Sequence, residues 1–226
     1  MAGFRWSSIG ELGTLNVMNY PVIIRRVVIF GIIVAGIFGL LWWWGPRIPV
    51  NMKQKSAMKS AYQIHQALFA YSTGHDGNFP TAEHTSNEAF RELFKEGLVD
   101  DERLFFVKGS AWHGKATAPD GKIGNAADGF AEALGPGENH WAYTSGLSAD
   151  RSDATLPLIM DGFTDVIGTW CDDPKARGGI RSGRFQVTVG VGGNARVNDG
   201  AKEGQSILDR IKPVPGAKLL NPDPPK

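Results

Sequence analysis

An apolar segment at residues 27–44, VVIFGIIVAGIFGLLWWW, constrains this chain more than any other feature of its sequence. It runs for eighteen residues without a charge or a proline. An α-helix rises about 1.5 Å per residue, so the segment would make roughly 27 Å of helix, close to the hydrocarbon thickness of about 30 Å in a bilayer. Arg25 and Arg26 precede it, and three tryptophans end it with rings that favour the headgroup level. The sequence therefore predicts a single transmembrane helix.

Two other interpretations of this segment are weaker. A cleaved signal peptide has a shorter apolar region and a small-residue cleavage site, whereas this segment ends in tryptophans followed by Gly45 and Pro46. A core helix of a soluble domain rarely runs five turns without a polar face. Gly31, Ala35 and Gly39 would share one face of the helix, and such small residues let a second membrane helix approach closely.

The helix divides the 226 residues into five predicted segments. They are a leader at 1–26, the transmembrane helix at 27–44, a break at the membrane surface at 45–50, an extramembrane domain at 51–212 and a proline-rich tail at 213–226. Pro46 and Pro49 predict the break, because proline lacks a donor N–H and clashes with the preceding turn. Five prolines among the last fourteen residues predict an extended strap or a disordered tail.

The extramembrane domain has the sequence pattern of an α+β fold. Apolar residues spaced by three and four predict a long helix after Asn51. Its buried face is predicted to carry Met58, Ala61, Tyr62, His65, Leu68, Phe69 and Ser72. A short helix should follow Thr85, and strands are predicted at 104–107, 141–144, 156–160, 185–191 and 195–198. Gly193 and Asn194 predict a hairpin with a two-residue turn between the last two strands. The predicted fold class is therefore α+β, in which an N-terminal transmembrane helix precedes a domain with a long helix packed on a small antiparallel sheet.

Composition excludes some functions and leaves others open. A net charge of +1 with scattered basic residues gives no field for nucleic acid, so we expect no nucleic-acid partner. Cys171 is the only cysteine, which excludes an intrachain disulfide. The five histidines have no metal-ligand spacing, and no nucleophile elbow, phosphate-binding loop or paired carboxylates can be identified. The sequence therefore predicts a protein that is not an enzyme and has no organic cofactor.

The order of these segments resembles the type IV pilin-like proteins, in particular the pseudopilins of type II secretion and their planctomycete and verrucomicrobial relatives. The resemblance is carried by the apolar N-terminal helix, by NMKQKSAMKSAYQIHQALFAYSTGHDGNFP, by WAYTSGLSADRSDATLPLIMDG and by VTVGVGGNARV. The family's Gly-Phe-x-x-x-Glu processing site is missing, since Arg25 and Arg26 stand before the apolar segment. We therefore expect the chain to keep its leader.

The resemblance implies a location and a metal. The basic residues on the two sides of the helix are nearly balanced, so charge leaves the orientation open. The orientation therefore rests on the resemblance, which implies a single-pass protein of the bacterial inner membrane with a periplasmic main domain. Some pseudopilins bind calcium in the region after the second strand. This implies a weak calcium site among Asp150, Asp153, Asp161 and Asp165, although solvated acidic loops explain these residues better.

Three functions remain open. The first is a non-enzymatic single-pass subunit that docks in a cell-envelope assembly, with the lipid bilayer and other membrane proteins as partners. Its contacts are predicted to be the transmembrane helix and the loop at 108–139, where Trp112, Phe130 and Trp141 are bulky aromatics of the kind that anchor interfaces. The second is a processed pseudopilin that polymerises in a secretion or pilus system. The third is a membrane-anchored enzyme that uses the 108–139 loop.

Overall fold

The computed structural model describes residues 29–37, 39, 47–116, 118–173, 175–179, 186–198 and 203–225 of this protein. The chain divides into two compact units, Met1–Pro49 and Val50–Lys226. Within the first unit, residues 29–37 and 39 are helical.

Among the described residues from 47 onward, the helices come first, four strands follow, and one more helix precedes the last strand. The helices are α1 (Arg47–Gly74), α2 (Ser86–Lys95) and α3 (Glu203–Ile211). Three short 3-10 helices lie at Glu102–Leu104, Ala111–His113 and Ala126–Asp128. The strands are β1 (Trp141–Ser145), β2 (Pro157–Asp161), β3 (Gln186–Gly190), β4 (Ala195–Asn198) and β5 (Lys218–Leu220).

The five strands form one sheet with the order β4-β3-β2-β1-β5, and all neighbours are antiparallel. Trp141 of β1 lies opposite Asp161 of β2, and Tyr143 of β1 lies opposite Leu220 of β5. All residues of β1, β2 and β3 are buried, including the polar residues Thr144, Asp161 and Gln186. These three strands therefore form the centre of the sheet, and β4 and β5 are its edges.

Apolar side chains fill both faces of the sheet. Trp141 and Tyr143 of β1 belong to the larger core with α1 and α2, whereas Ala142 belongs to a smaller core with Ile207 and Ile211 of α3. Successive side chains of a strand point to opposite faces, so these two cores lie on the two sides of β1. The sheet is the middle layer of three.

Helix α1 packs with a different face from the predicted one. Among its residues 55–74, whose burial the structure describes, the buried ones are Ala57, Ala61, Ile64, His65, Leu68 and Ser72. Tyr62 and Phe69, which were predicted to be buried, are 47% and 53% exposed. Two apolar stripes on α1 share His65 and Leu68: one carries the alanines and the other carries Tyr62 and Phe69. Packing with the alanine stripe lets the helix approach the rest of the core more closely. The small side chains, not the aromatic ones, therefore select the buried face.

The strand predicted at 104–107 is wrong, because Glu102–Leu104 is a 3-10 helix. The Asp101 side chain accepts a hydrogen bond from the backbone N–H of Arg103 and caps this turn. A short apolar run cannot be assigned to a strand by periodicity alone, and here the polar residue before it decides the local structure.

The predicted transmembrane helix at 27–44 is wrong. In the part of the chain that the structure describes, none of the helices combines the length and the apolar composition that crossing a bilayer requires. Residues 27, 28, 38 and 40–44 lie outside the described residues, as does the leader at 1–26.

Three predictions depended on that helix and are corrected with it. They are the fold class with an N-terminal transmembrane helix, the single-pass membrane character and the localisation in the bacterial inner membrane with a periplasmic domain. The break predicted at 45–50 also differs from the structure. Residues 47–50 are helical and form the start of α1, and Gly45 and Pro46 lie outside the described residues.

The proline-rich tail belongs to the fold. Lys218–Leu220 pairs with β1 as the edge strand β5, and Leu219 and Leu220 are buried on opposite faces of the sheet. These three residues contain no proline, so each can donate a backbone hydrogen bond to the sheet. The predicted domain boundary at residue 212 therefore separates segments that share one core.

Candidate functional site

The four aspartates predicted to bind calcium do not come together. Asp161 is buried in β2, where its carboxylate bonds to His140 and accepts the backbone N–H of Val187. Asp165 pairs with Arg177 at 2.8 Å, and Asp153 accepts the N–H of Thr155. Among the described residues, one group brings together three or more possible metal ligands, and it contains neither Asp150 nor any of the other three aspartates.

Of the residues predicted at interfaces, the small ones in the N-terminal helix are exposed, whereas the aromatic ones are buried or half-buried. Gly31, Ala35 and Gly39 are helical and exposed, and a methyl group added at Gly31 or Gly39 would meet nothing within 4 Å. Trp112 and Trp141 are buried, and Phe130 is half-buried against the larger core. The Asn87 and Arg91 side chains of α2 donate hydrogen bonds to backbone carbonyls of the 108–139 loop. The aromatic side chains of this loop therefore contribute to the interior.

A row of three rings on α1, exposed at its two ends and buried at its centre, was missed by the sequence prediction, which had placed all three rings in the core. We call Tyr62, His65 and Phe69 the aromatic ridge. The ring centroids of Tyr62 and His65 are 6.4 Å apart, and those of His65 and Phe69 are also 6.4 Å apart, with interplanar angles of 18° and 20°. The ridge lines a shallow groove of about 420 Å³, which Val191 and Gly192 of the β3–β4 loop complete.

The ridge is fixed to the sheet at its centre. The Nε2 atom of His65 lies 2.8 Å from the carbonyl oxygen of Val191, within hydrogen-bond distance. Gly193 has a φ of +79°, and a Cβ atom at this position would lie 3.0 Å from Cε1 of His65. Glycine therefore allows the β3–β4 loop to approach the imidazole ring. The outer rings of the ridge are presented to solvent from a rigid support.

The surface of α1 next to the ridge is basic. The helix Arg47–Gly74 contains four basic residues and no acidic residue. Lys55 and Lys59 are exposed, about two turns and one turn before the ridge, respectively. The apolar groove thus continues into a positively charged helix surface.

A second constellation joins a hydroxyl, an imidazole and a carboxylate in the interior. The Oγ atom of Ser110 lies 2.6 Å from Nδ1 of His140, and Nε2 of His140 lies 2.6 Å from Oδ1 of Asp161. The residues are 30 and 21 positions apart, so no sequence motif announces them. This order of groups is the one that activates a serine nucleophile in acyl-transfer enzymes.

The surroundings of Ser110 do not suit catalysis. Ser110 is 6% exposed, and its Oγ also accepts the backbone N–H of Trp112 at the start of a 3-10 helix. The adjacent cavity has a volume of about 10 Å³, the space of about one water molecule. It leaves no room for an acyl group at Oγ. The constellation instead connects the 108–139 loop to β1 and β2.

A third cluster consists of three carboxylates. Glu102 precedes the loop, and Asp120 and Glu138 lie within it, with eighteen positions between successive members. One carboxylate oxygen from each lies within 4.8 Å of the others. Sequence spacing gives no signal of this cluster, because the irregular backbone of the loop brings the three residues together.

Burial strongly changes the acidity of Glu102, which is 1% exposed. Removal from water raises the pKa of its carboxyl group from 4.5 to about 7. The N–H of Leu134, which Oε1 accepts at 2.6 Å, lowers this pKa, and the nearby charges of Glu138 and Asp120 raise it further. The cluster therefore places a carboxyl group that resists ionisation beside two others.

No protein-family model matches this chain, and neither a curated protein nor a solved structure matches it. The resemblance to pilin-like proteins is without support from these comparisons.

Proposed function

We propose that this protein is a non-enzymatic binding subunit that docks a partner protein on the aromatic ridge of α1. The exposure of Tyr62 and Phe69 carries this proposal. A helix that could bury two aromatic rings against its own sheet instead buries two alanines and turns the rings outward. Aromatic side chains held on a rigid element are typical anchors of protein interfaces.

The chemistry of the surface indicates the partner. The groove takes an apolar side chain, because the rings of the ridge and Val191 form most of its walls. Lys55 and Lys59 on the same helix favour acidic residues beside that side chain, since opposite charges steer association and select partners. The partner is therefore a protein segment in which an apolar residue is flanked by aspartate or glutamate.

Site-specific photo-crosslinking in the native cell tests this proposal. Gln66 is exposed between Tyr62 and Phe69, so a benzoylphenylalanine at this position would lie within the groove. We expect one discrete adduct whose partner peptide contains an apolar residue flanked by acidic residues. The matched control carries the same probe at Gln205, which is exposed on α3, and should give no such adduct.

Two variants decide whether the adduct depends on the ridge. Phe69→Ser removes a ring, and Lys55→Glu with Lys59→Glu reverses the nearby charge; both should abolish the adduct while circular dichroism stays unchanged. An adduct that survives both changes would contradict the proposal. An adduct between two copies of this chain would replace the partner protein with a homodimer and would also contradict it.

A further inference from the structure

The carboxylate cluster carries an inference that is independent of the proposed docking function. The cluster brings one carboxylate oxygen each from Glu102, Asp120 and Glu138 within 4.8 Å of one another, so that a single ion could contact all three. Glu102 and Asp120 also line the same surface cavity, which has a volume of about 500 Å³. Three like charges this close repel one another unless a positive group lies among them.

The side chain of Glu102 points to a ligand independently of the cluster. Its Oε1 accepts the N–H of Leu134, whereas at its buried Oε2 no donor meets both the distance and the angle of a hydrogen bond; the backbone N–H of Gly121 comes near enough to lower the pKa of the carboxyl group without satisfying this oxygen. An unpaired buried carboxylate oxygen is costly, because it has lost its hydration without gaining a donor. A cation bound at this oxygen would satisfy it.

The other two carboxylates are held in place by the backbone of the loop. Glu138 accepts the N–H of Asp120 on Oε1 at 2.7 Å and the N–H of Gly135 on Oε2 at 2.8 Å. Asp120 accepts the N–H of Lys122 on Oδ1. The ammonium group of Lys122 is 3.8 Å from Oδ2 of Asp120, and both side chains are exposed. One solvated lysine does not balance three carboxylates.

We propose that Glu102, Asp120 and Glu138 bind a divalent cation of the size of calcium. Carboxylate oxygens are ligands for hard cations, and Ca²⁺ takes about six to eight oxygens in flexible geometry, which suits three carboxylates carried by an irregular loop. The three oxygens lie within 4.8 Å of one another, so one ion can contact all three. Mg²⁺ demands a near-ideal octahedron, keeps several waters and is usually held by only one or two carboxylates.

The site would connect two parts of the chain. Glu102 belongs to the 3-10 helix before the 108–139 loop, whereas Asp120 and Glu138 belong to the middle and the end of the loop. A cation bound to all three cross-links the loop to the segment that precedes it. Lys122 lies two residues after Asp120, so cleavage by trypsin after this lysine reports on the cross-link.

Calorimetric titration of the chelator-treated full chain with calcium chloride tests the site. We expect one calcium ion per chain, at least tenfold tighter binding than for magnesium chloride, a rise in Tm and slower cleavage after Lys122. Asp120→Asn and Glu138→Gln should weaken calcium binding at least tenfold. Asp100→Asn is the matched control, because Asp100 is exposed at the same cavity outside the cluster, and it should bind like the unchanged chain.

Glu102→Gln separates loss of the site from loss of the fold. Because this change removes a buried carboxylate, we expect it to raise the Tm in chelator and to abolish the further rise with calcium. The proposal is overturned if millimolar calcium gives no binding heat, if Asp120→Asn binds calcium as tightly as Asp100→Asn, or if magnesium binds as tightly as calcium.

Discussion

Single buried polar groups determine much of the behaviour expected of this protein. Glu102 and His65 are each held by backbone groups far along the chain, and Ser110 is held by the His140 side chain 30 positions away; none of the three belongs to a recognisable motif. Their roles depend on burial, which one-dimensional spacing does not report. At the scale of single residues, the sequence shows which polar residues are present but not which of them are buried or what they contact.

The first prediction concerns Ser110. Ser110→Ala removes the hydroxyl that bonds to His140 and accepts the N–H of Trp112, so we expect a loss of about 1–3 kcal/mol in the free energy of unfolding. Urea denaturation measures this loss. Exposed Ser206→Ala is the control and should change the stability by no more than about 0.5 kcal/mol. A fluorophosphonate should not label Ser110, and covalent labelling there would restore the enzyme hypothesis.

The second prediction concerns the pH dependence that Glu102 imposes. Its pKa is about 7 in the fold against an ordinary 4.5, so the folded state holds the proton more tightly than the unfolded state. The resulting stabilisation is complete below pH 4.5 and is lost as the pH rises to about 7. Between pH 5 and pH 8, this single group should lower the free energy of unfolding by roughly 2–3 kcal/mol.

Urea denaturation in chelator measures this effect as the difference between the unchanged chain and Glu102→Gln. The difference should move in favour of the variant as the pH rises. Glu132→Gln, at an exposed position in the same loop, is the control and should follow the unchanged chain at both pH values. A difference that does not vary with pH would show that burial has not shifted the pKa of Glu102.

At the scale of elements, the positions of the strands could be predicted better than the buried face of the long helix α1. The strands predicted at 141–144, 156–160, 185–191 and 195–198 are confirmed to within one or two residues, since their apolar runs are short and bounded by turns. The short helix predicted after Thr85 is also confirmed as α2, which buries Phe90, Leu93 and Phe94. On α1 two stripes compete, and periodicity gives no criterion for preferring alanines to aromatics.

The hairpin between β3 and β4 is confirmed, but its predicted two-residue turn is wrong. Residues 191–194 connect the strands, and of these only Gly193 has a positive φ. The N–H of Gly193 bonds to the carbonyl of Gly190 and closes a β-turn, and the N–H of Gly190 bonds to the carbonyl of Asn194, so three residues lie between the last paired positions. The longer loop brings the carbonyl of Val191 to His65 and so joins the hairpin to α1.

The third prediction concerns this contact between the hairpin and the helix. Gly193→Ala should lower the free energy of unfolding by about 1–2 kcal/mol from its positive φ alone, and by more because the new methyl group crowds His65. Gly216→Ala is the matched control, because its φ is +76° and a methyl group there meets nothing within 4 Å. Equal losses in urea denaturation would mean that the loop does not press on the imidazole.

At the scale of the whole molecule, the sequence predicted most helices and strands of the domain, but neither its edge strand β5 nor its limits. The apolar segment at 27–44 led to a transmembrane helix, a membrane location and a set of membrane partners. The prolines of the tail led to a boundary at residue 212. Composition identified these segments as unusual, but it could not show that Leu219 and Leu220 complete the core.

The position of β5 has a consequence for the time course of folding. Its partner β1 is some 75 residues earlier in the chain. The backbone N–H of Asp223, just after β5, likewise bonds to a distant residue, the side chain of Asn87, which is 136 positions away. Chains dominated by such distant pairings fold slowly, because loop closure precedes the contacts that reward it. Until β5 arrives, the outer edge of β1 presents unpaired backbone groups beside Trp141 and Tyr143, which is a template for aggregation. Recovery on refolding should therefore fall as the protein concentration rises.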